Sequence, residues 1–247
     1  MLQVIKKIAS ILFLCWSFLV FITAMILVFP FILILSILLR DRKKAQGSIF
    51  FFLKIWALIF SIFCFFPVRT KGINKAANAC IYVCNHNSYL DAIAVVIAIP
   101  GSFKPLGKIE MVKIPVFGLI YQKIVVLIDR KSKESRARCV EELKADLANG
   151  QSILIFPEGT MNRTNEALAD FYDGAFRIAI ETQTDIVPMV ILNARKLFPR
   201  SKPLNIKPGL ITCVFGEPVL VKGLQADDIE TLKVRTRKIM KEMIGTG

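Results

Sequence analysis

The stretch Ile81-Tyr82-Val83-Cys84-Asn85-His86-Asn87-Ser88-Tyr89-Leu90-Asp91 decides the reading of this chain. Four consecutive apolar residues read as a buried strand. They break off into a polar string that holds the only histidine in 247 residues. The same form recurs at Ile124 to Ile128, followed by Asp129-Arg130, and at Ile153 to Phe156, followed by Pro157-Glu158-Gly159-Thr160. Two further strand-like runs, Ile186 to Ile191 and Leu210 to Phe215, come later. Helical patterns lie between them. The clearest starts at Ser132, a candidate N-cap, and places Val140, Leu143 and Leu147 on one face before Gly150. Another runs from about Asp227 to Ile244, with acids in its first turn and Ile229, Leu232, Ile239 and Met243 on one face. Strands alternating with helices predict an α/β fold, a mostly parallel sheet flanked by helices. The carboxyl ends of parallel strands share one edge, and ligands bind beyond it, so the three polar clusters are expected to converge on one site.

Upstream, the chain is of another kind. Ile8 to Leu39 carries no charge, more than the roughly 20 apolar residues that cross a bilayer core. Its length and the lack of a small-residue cleavage site argue against a secretory signal. Pro30 inside it leaves open a kinked helix or a hairpin that re-emerges on the same side. A basic clip, Arg40, Arg42, Lys43 and Lys44, leads to a second apolar stretch from Ile49 to Phe66, ended by Pro67. If both stretches spanned, this clip would lie opposite the basic remainder, against the positive-inside tendency. We therefore expect at least one segment to lie in or dip into the interface. The division is a membrane-embedded helical anchor over 1–67 and an α/β domain over 68–247.

The formal charge of +14 calls for an anionic partner, and the apolar N-terminus favours lipid over nucleic acid. Six cysteines form neither a CxxC pair nor a zinc pattern, so they read as reduced, mostly buried residues of a chain facing the cytoplasm, and no metal is expected.

His86 sits five residues before Asp91. A helix beginning near Ser88 would put Asp91 in its first turn, within reach of the imidazole, where a carboxylate fixes the tautomer and stabilises the imidazolium. Ser88 and Asp91 also fit a capping box, with His86 an incidental turn residue. The two readings are compatible.

The order of the polar blocks is specific. Asn85-His86 to Asp91, Leu127-Ile128-Asp129-Arg130, Phe156-Pro157-Glu158-Gly159-Thr160 and Ile186-Val187-Pro188-Met189 together resemble the glycerolipid acyltransferase superfamily that contains the 1-acyl-glycerol-3-phosphate acyltransferases. The stretches Leu106 to Glu110 and Ile114 to Gly118 resemble its segment between the first two blocks. The resemblance spans roughly residues 70 to 220. It implies transfer without an acyl-enzyme: His86, oriented by Asp91, deprotonates the hydroxyl of a lysophospholipid as it attacks an acyl thioester carried by coenzyme A or acyl carrier protein. The thioester is a co-substrate, and no tightly bound cofactor is expected. A thioester carbonyl is already electrophilic, so a general base with positioning and oxyanion stabilisation is a sufficient set of tools.

The resemblance also gives Arg130 the acceptor's phosphate, which suits a planar guanidinium fork; the alternative is a surface charge paired with Asp129. Pro157 and Gly159 shape a turn, from which Glu158 and Thr160 are expected to meet glycerol oxygens. Lys108 is a further candidate contact for a phosphate or headgroup. Two departures stand out. Many relatives have arginine directly after the threonine, where this chain has Met161 and only then Arg163. Either Arg163 reaches the phosphate from the next turn, or Arg130 and Lys108 do more of the work. Asp173 stands where relatives often carry a base. Acceptors other than lysophosphatidate, a non-catalytic anionic-lipid-binding protein, and a Ser88-dependent lysolipid hydrolase are the competing readings. The last lacks a GxSxG elbow.

Overall fold

In the computed structural model, residues 2–39, 42–72, 78–115 and 117–246 are described. Seven strands form one sheet: β1 (Val68–Lys71), β2 (Ile81–Cys84), β3 (Phe103–Lys108), β4 (Val126–Ile128), β5 (Ser152–Ile155), β6 (Ile186–Leu192) and β7 (Ile211–Phe215), in the order β1-β7-β6-β2-β5-β3-β4. Every pairing is parallel except β6 with β7. The five expected strands are present. β4 is shortened at its start because Ile124 closes the preceding helix. β1 and β3 had no counterpart in the sequence reading.

Alternation along each strand divides the core in two. Tyr82 and Cys84 face one side of the sheet and Ile81 and Val83 the other. The first side is covered by α1 (Leu2–Leu38), α2 (Arg42–Phe63) and α3 (Asp91–Ala98). The second is covered by α5 (Lys133–Ala148), α6 (Gly174–Thr182) and α8 (Ile229–Gly245). Burial on both faces is why β2, β5 and β6 read as unbroken apolar runs. Ser132 caps α5 by accepting from the Ser135 N–H at 3.0 Å. Short α4 (Phe117–Ile124) and α7 (Ala194–Leu197) complete the fold.

α1 runs unbroken through Pro30, so the chain turns back after it. α1 and α2 then pair in opposite directions: the Trp16 indole donates to the Phe63 carbonyl, Phe21 meets Trp56 edge-on, and Phe31 stacks on Phe52. Both helices are long and apolar enough to cross a membrane. Of the basic clip, Arg42, Lys43 and Lys44 open α2, while Arg40 and the side chains of those three lie outside the described residues. α2 also lies along the domain. Near its start the Gln46 amide donates to the Phe103 carbonyl, and beyond its end Phe66 is fully buried. The far side of α1 exposes Leu12, Phe18, Leu19, Leu27 and Ile37, an apolar surface of the kind that suits a membrane.

Candidate active site

β2, β3, β4 and β5 are adjacent and parallel, so their carboxyl ends bring the polar blocks together. The His86 loop leaves β2, Lys108 ends β3, Arg130 follows β4, and the Pro157 turn follows β5.

α3 starts at Asp91, three residues later than expected. The reason is Asp91 itself. Its Oδ2 accepts from the backbone N–H of Asn87 at 2.7 Å and of Ser88 at 2.8 Å, so the carboxylate reaches back over the loop and closes it. The same oxygen lies 2.8 Å from His86 Nδ1. A carboxylate can only accept, so the Nδ1–H donates to Asp91 and stays on the ring, leaving Nε2 with its lone pair. The helix cap is Leu90, with no side-chain cap bond, so the carboxylate orients the histidine and closes the loop without completing the expected capping box.

The third block fixes His86 from the other side. Glu158 Oε1 accepts from the His86 backbone N–H and Oε2 from the Ala169 N–H, both at 2.8 Å. The Asn162 N–H donates to the His86 carbonyl at 2.6 Å, and the imidazole stacks on Phe156 at 4.4 Å. Burial raises the Glu158 pKa above the ordinary carboxylate range, opposed by those two N–H donors. Each oxygen meets an internal N–H and the residue is only 4% exposed, so Glu158 shapes the His86 loop. The expected contact with glycerol oxygens is corrected accordingly. Asn85 joins the two central strand ends, its side chain accepting from the Ile191 N–H at 2.7 Å and donating to the Ile191 carbonyl at 3.2 Å.

His86 opens on a cavity of about 460 Å³. One limb is apolar and runs between the N-terminal helices and the domain, lined by Met25, Val28, Ile32, Phe50, Leu53 and Phe103. The other end is cationic, with Lys108, Arg130 and Arg200 around Gly159 and Thr160. Tyr121 lines the wall between Lys108 and Arg130, its hydroxyl pKa pushed up to about 12 by burial. Gly107 makes room for it, since a methyl there would meet the Tyr121 oxygen. Gly159 has φ +68° and packs on the Tyr172 ring, and a methyl on it would come within 3.5 Å of Arg130 Nη1. The guanidinium of Arg130 thus sits at this turn. Asp129 does not pair with it; its Oδ1 accepts from the Lys131 N–H at 2.9 Å.

Other expectations need correction. Arg163 is exposed and does not line the cavity, because the turn after Thr160 directs it outward. Ser88 is fully buried, its hydroxyl donating to the Phe198 carbonyl at 2.9 Å, so no nucleophile faces the cavity from that position. Arg200, which the sequence reading missed, lines the cavity and donates from Nη1 to the Met161 carbonyl at 2.8 Å.

A carboxylate-oriented histidine at the carboxyl edge of an α/β sheet, between a cationic end and an apolar limb, is the arrangement of a base acting on an amphiphile. Residues 66–192, just over half of the chain, match the Acyltransferase family model, and the chain belongs to that family. It is 30% identical over 215 residues to the chloroplastic 1-acyl-sn-glycerol-3-phosphate acyltransferase BAT2 of Brassica napus, covering 85% of this chain and 59% of that one. A 1-acyl-sn-glycerol-3-phosphate acyltransferase of Chlamydomonas reinhardtii is 31% identical, covering 85% of this chain and 63% of that one. This chain therefore spans about six tenths of the length of these relatives. The crystal structure of the 1-acyl-sn-glycerophosphate (LPA) acyltransferase PlsC from Thermotoga maritima has the same fold, with a TM-score of 0.80, 22% identity and 98% of each chain covered.

Proposed function

We propose that the protein transfers a fatty acyl group from an acyl thioester, of coenzyme A or acyl carrier protein, to the sn-2 hydroxyl of 1-acyl-glycerol 3-phosphate, giving phosphatidate at the cytoplasmic face of a membrane. The observation that carries this is the position of His86, at the meeting point of the apolar and cationic parts of one cavity. Nε2 takes the hydroxyl proton as the oxygen bonds to the thioester carbon. The C–S bond then breaks, and the imidazolium returns the proton to the leaving sulfur. Asp91 stabilises the imidazolium between these steps. Arg130 and Lys108 hold the acceptor's phosphate, and the apolar limb receives an acyl chain that need not cross water. The packing of α2 along the domain supports a hairpin embedded from one side, which would keep every basic cluster at the same face.

The test is thiol release from an acyl thioester by protein in detergent, with and without lysophosphatidate, for wild type and His86→Ala. Release that needs the acceptor and vanishes in the variant is the expected result. A wild type silent with every lysolipid offered, or an equally active variant, overturns the assignment and moves a lipid-binding role ahead.

A further inference from the structure

We propose that Arg200, on the loop after α7, is a second phosphate-binding arginine beside Arg130, working from the far side of the Gly159-Thr160-Met161 turn. This rests on the lysophosphatidate reading above and names a further residue that secures the acceptor's headgroup. Arg130 lies against the Gly159 end of the turn, and Arg200 is bonded to the Met161 carbonyl at its other end. The two guanidinium groups bracket Thr160 at the cavity's cationic end. Among the described residues, none of Lys108, Arg130 and Arg200 pairs with a carboxylate. A half-buried arginine without an anion carries a desolvation cost that an incoming phosphate offsets. One of its five N–H donors is spent on Met161, which sets the plane of the fork, and the rest remain for a phosphate.

The loop is held for this purpose. Ser88 Oγ donates to the Phe198 carbonyl, Ser88 forms an isolated bridge with Pro199, and the Tyr89 ring packs on Phe198 at 5.3 Å. Arg200 is therefore tied two residues upstream to the loop that carries His86, and through its own guanidinium to the turn after β5. The distance from phosphate site to base is fixed by these ties before substrate arrives. Met161 lines the same cavity as Arg200, so a guanidinium placed there by substitution can reach the same end.

The experiment compares wild type, Arg200→Gln, Arg200→Lys and the double variant Arg200→Gln/Met161→Arg, in kcat and KM for lysophosphatidate. Gln retains a donor for the Met161 carbonyl, and Lys retains the charge without the fork. We expect Arg200→Gln to raise KM by about 10- to 100-fold, the size of a lost charge-assisted contact, with kcat changed by only a few fold. Arg200→Lys should recover part of the loss, and Met161→Arg in the Gln background should restore most of it, which a merely structural role for Arg200 would not allow. If wild type is active and Arg200→Gln keeps its KM, or if its loss falls on thermal stability and is not rescued by Met161→Arg, the assignment to Arg200 is overturned while the lysophosphatidate reading stands. A wild type inactive with lysophosphatidate overturns both.

Discussion

Asp91→Asn isolates what the buried carboxylate does for His86. Three N–H donors converge on its Oδ2, at 2.8 Å from His86, 2.7 Å from Asn87 and 2.8 Å from Ser88. The amide must keep its oxygen toward them, because turning it would aim an NH₂ at three donors. Geometry is preserved and charge is lost. In the resting protein the three bonds become neutral, about half as strong. The new NH₂ takes the place of Oδ1, which is buried without a partner, and adds roughly 1–3 kcal/mol for an unmet donor. We expect a total loss of about 2–4 kcal/mol and a fall in Tm of about 5 to 15 °C. In the transition state the missing partner is a full charge beside the imidazolium. At about 4 Å and an effective dielectric of about 20 that is worth roughly 4 kcal/mol, or about 10³-fold in kcat. The acceptor's contacts are untouched, so KM should stay within about threefold of wild type. Thiol release at saturating lysophosphatidate, below the variant's melting temperature, measures this. A kcat within tenfold of wild type, or a loss confined to KM, would refute the role given to Asp91.

Two further outcomes separate structural from chemical roles. Ser88→Ala removes bonds to the Phe198 carbonyl and from the Leu90 N–H, so we expect it to cost about 1–2 kcal/mol in denaturant melts while kcat survives; a folded, inactive variant would restore the serine-nucleophile reading. Glu158, whose pKa burial raises, contributes stability that is full below the ordinary carboxylate range and is lost as pH rises through the raised value. Glu158→Gln cannot ionise, so the Tm of wild type minus that of the variant should fall as pH rises from the ordinary carboxylate range, and a difference that grows with pH contradicts the burial argument.

What could be read in advance depended on whether one local pattern carried the information. β2, β5, β6 and β7 are largely apolar and buried on both faces, and short runs of that kind stand out in the sequence. β1, Val68-Arg69-Thr70-Lys71, is an exposed edge whose charges hide it. β3 was hidden for a functional reason. Pro105, Leu106, Gly107 and Lys108 line the cavity, and that wall, with Gly107 yielding to Tyr121, sets the strand's composition in place of packing. The pairing of His86 with Asp91 was legible because both lie in one turn. Glu158 was legible as a special residue and misread in role, since a sequence does not show which backbone N–H groups a carboxylate will meet. Arg163 and Arg200 are opposite errors. The first is adjacent to the turn in sequence and points away. The second lies on another strand's loop, and nothing in the sequence singles it out among 33 lysines and arginines.

The two buried acids explain why the third block belongs with the first. Asp91 fixes the imidazole through Nδ1, Glu158 fixes the same residue through its backbone N–H, and Asn162 fixes its carbonyl. A base aimed before substrate binds loses little freedom in the reaction, and ordering it costs folding energy once, not binding energy at each turnover. Burial makes the charge on Glu158 unfavourable by itself, so its place there follows from the two N–H groups it meets. The same economy governs the cavity. Its apolar limb is closed on one side by α1, whose opposite face is exposed Leu, Ile and Phe. On the proposed reading, an acyl chain passing from bilayer to limb would exchange one apolar surface for another, so the energy for choosing among acceptors would come from the cationic end.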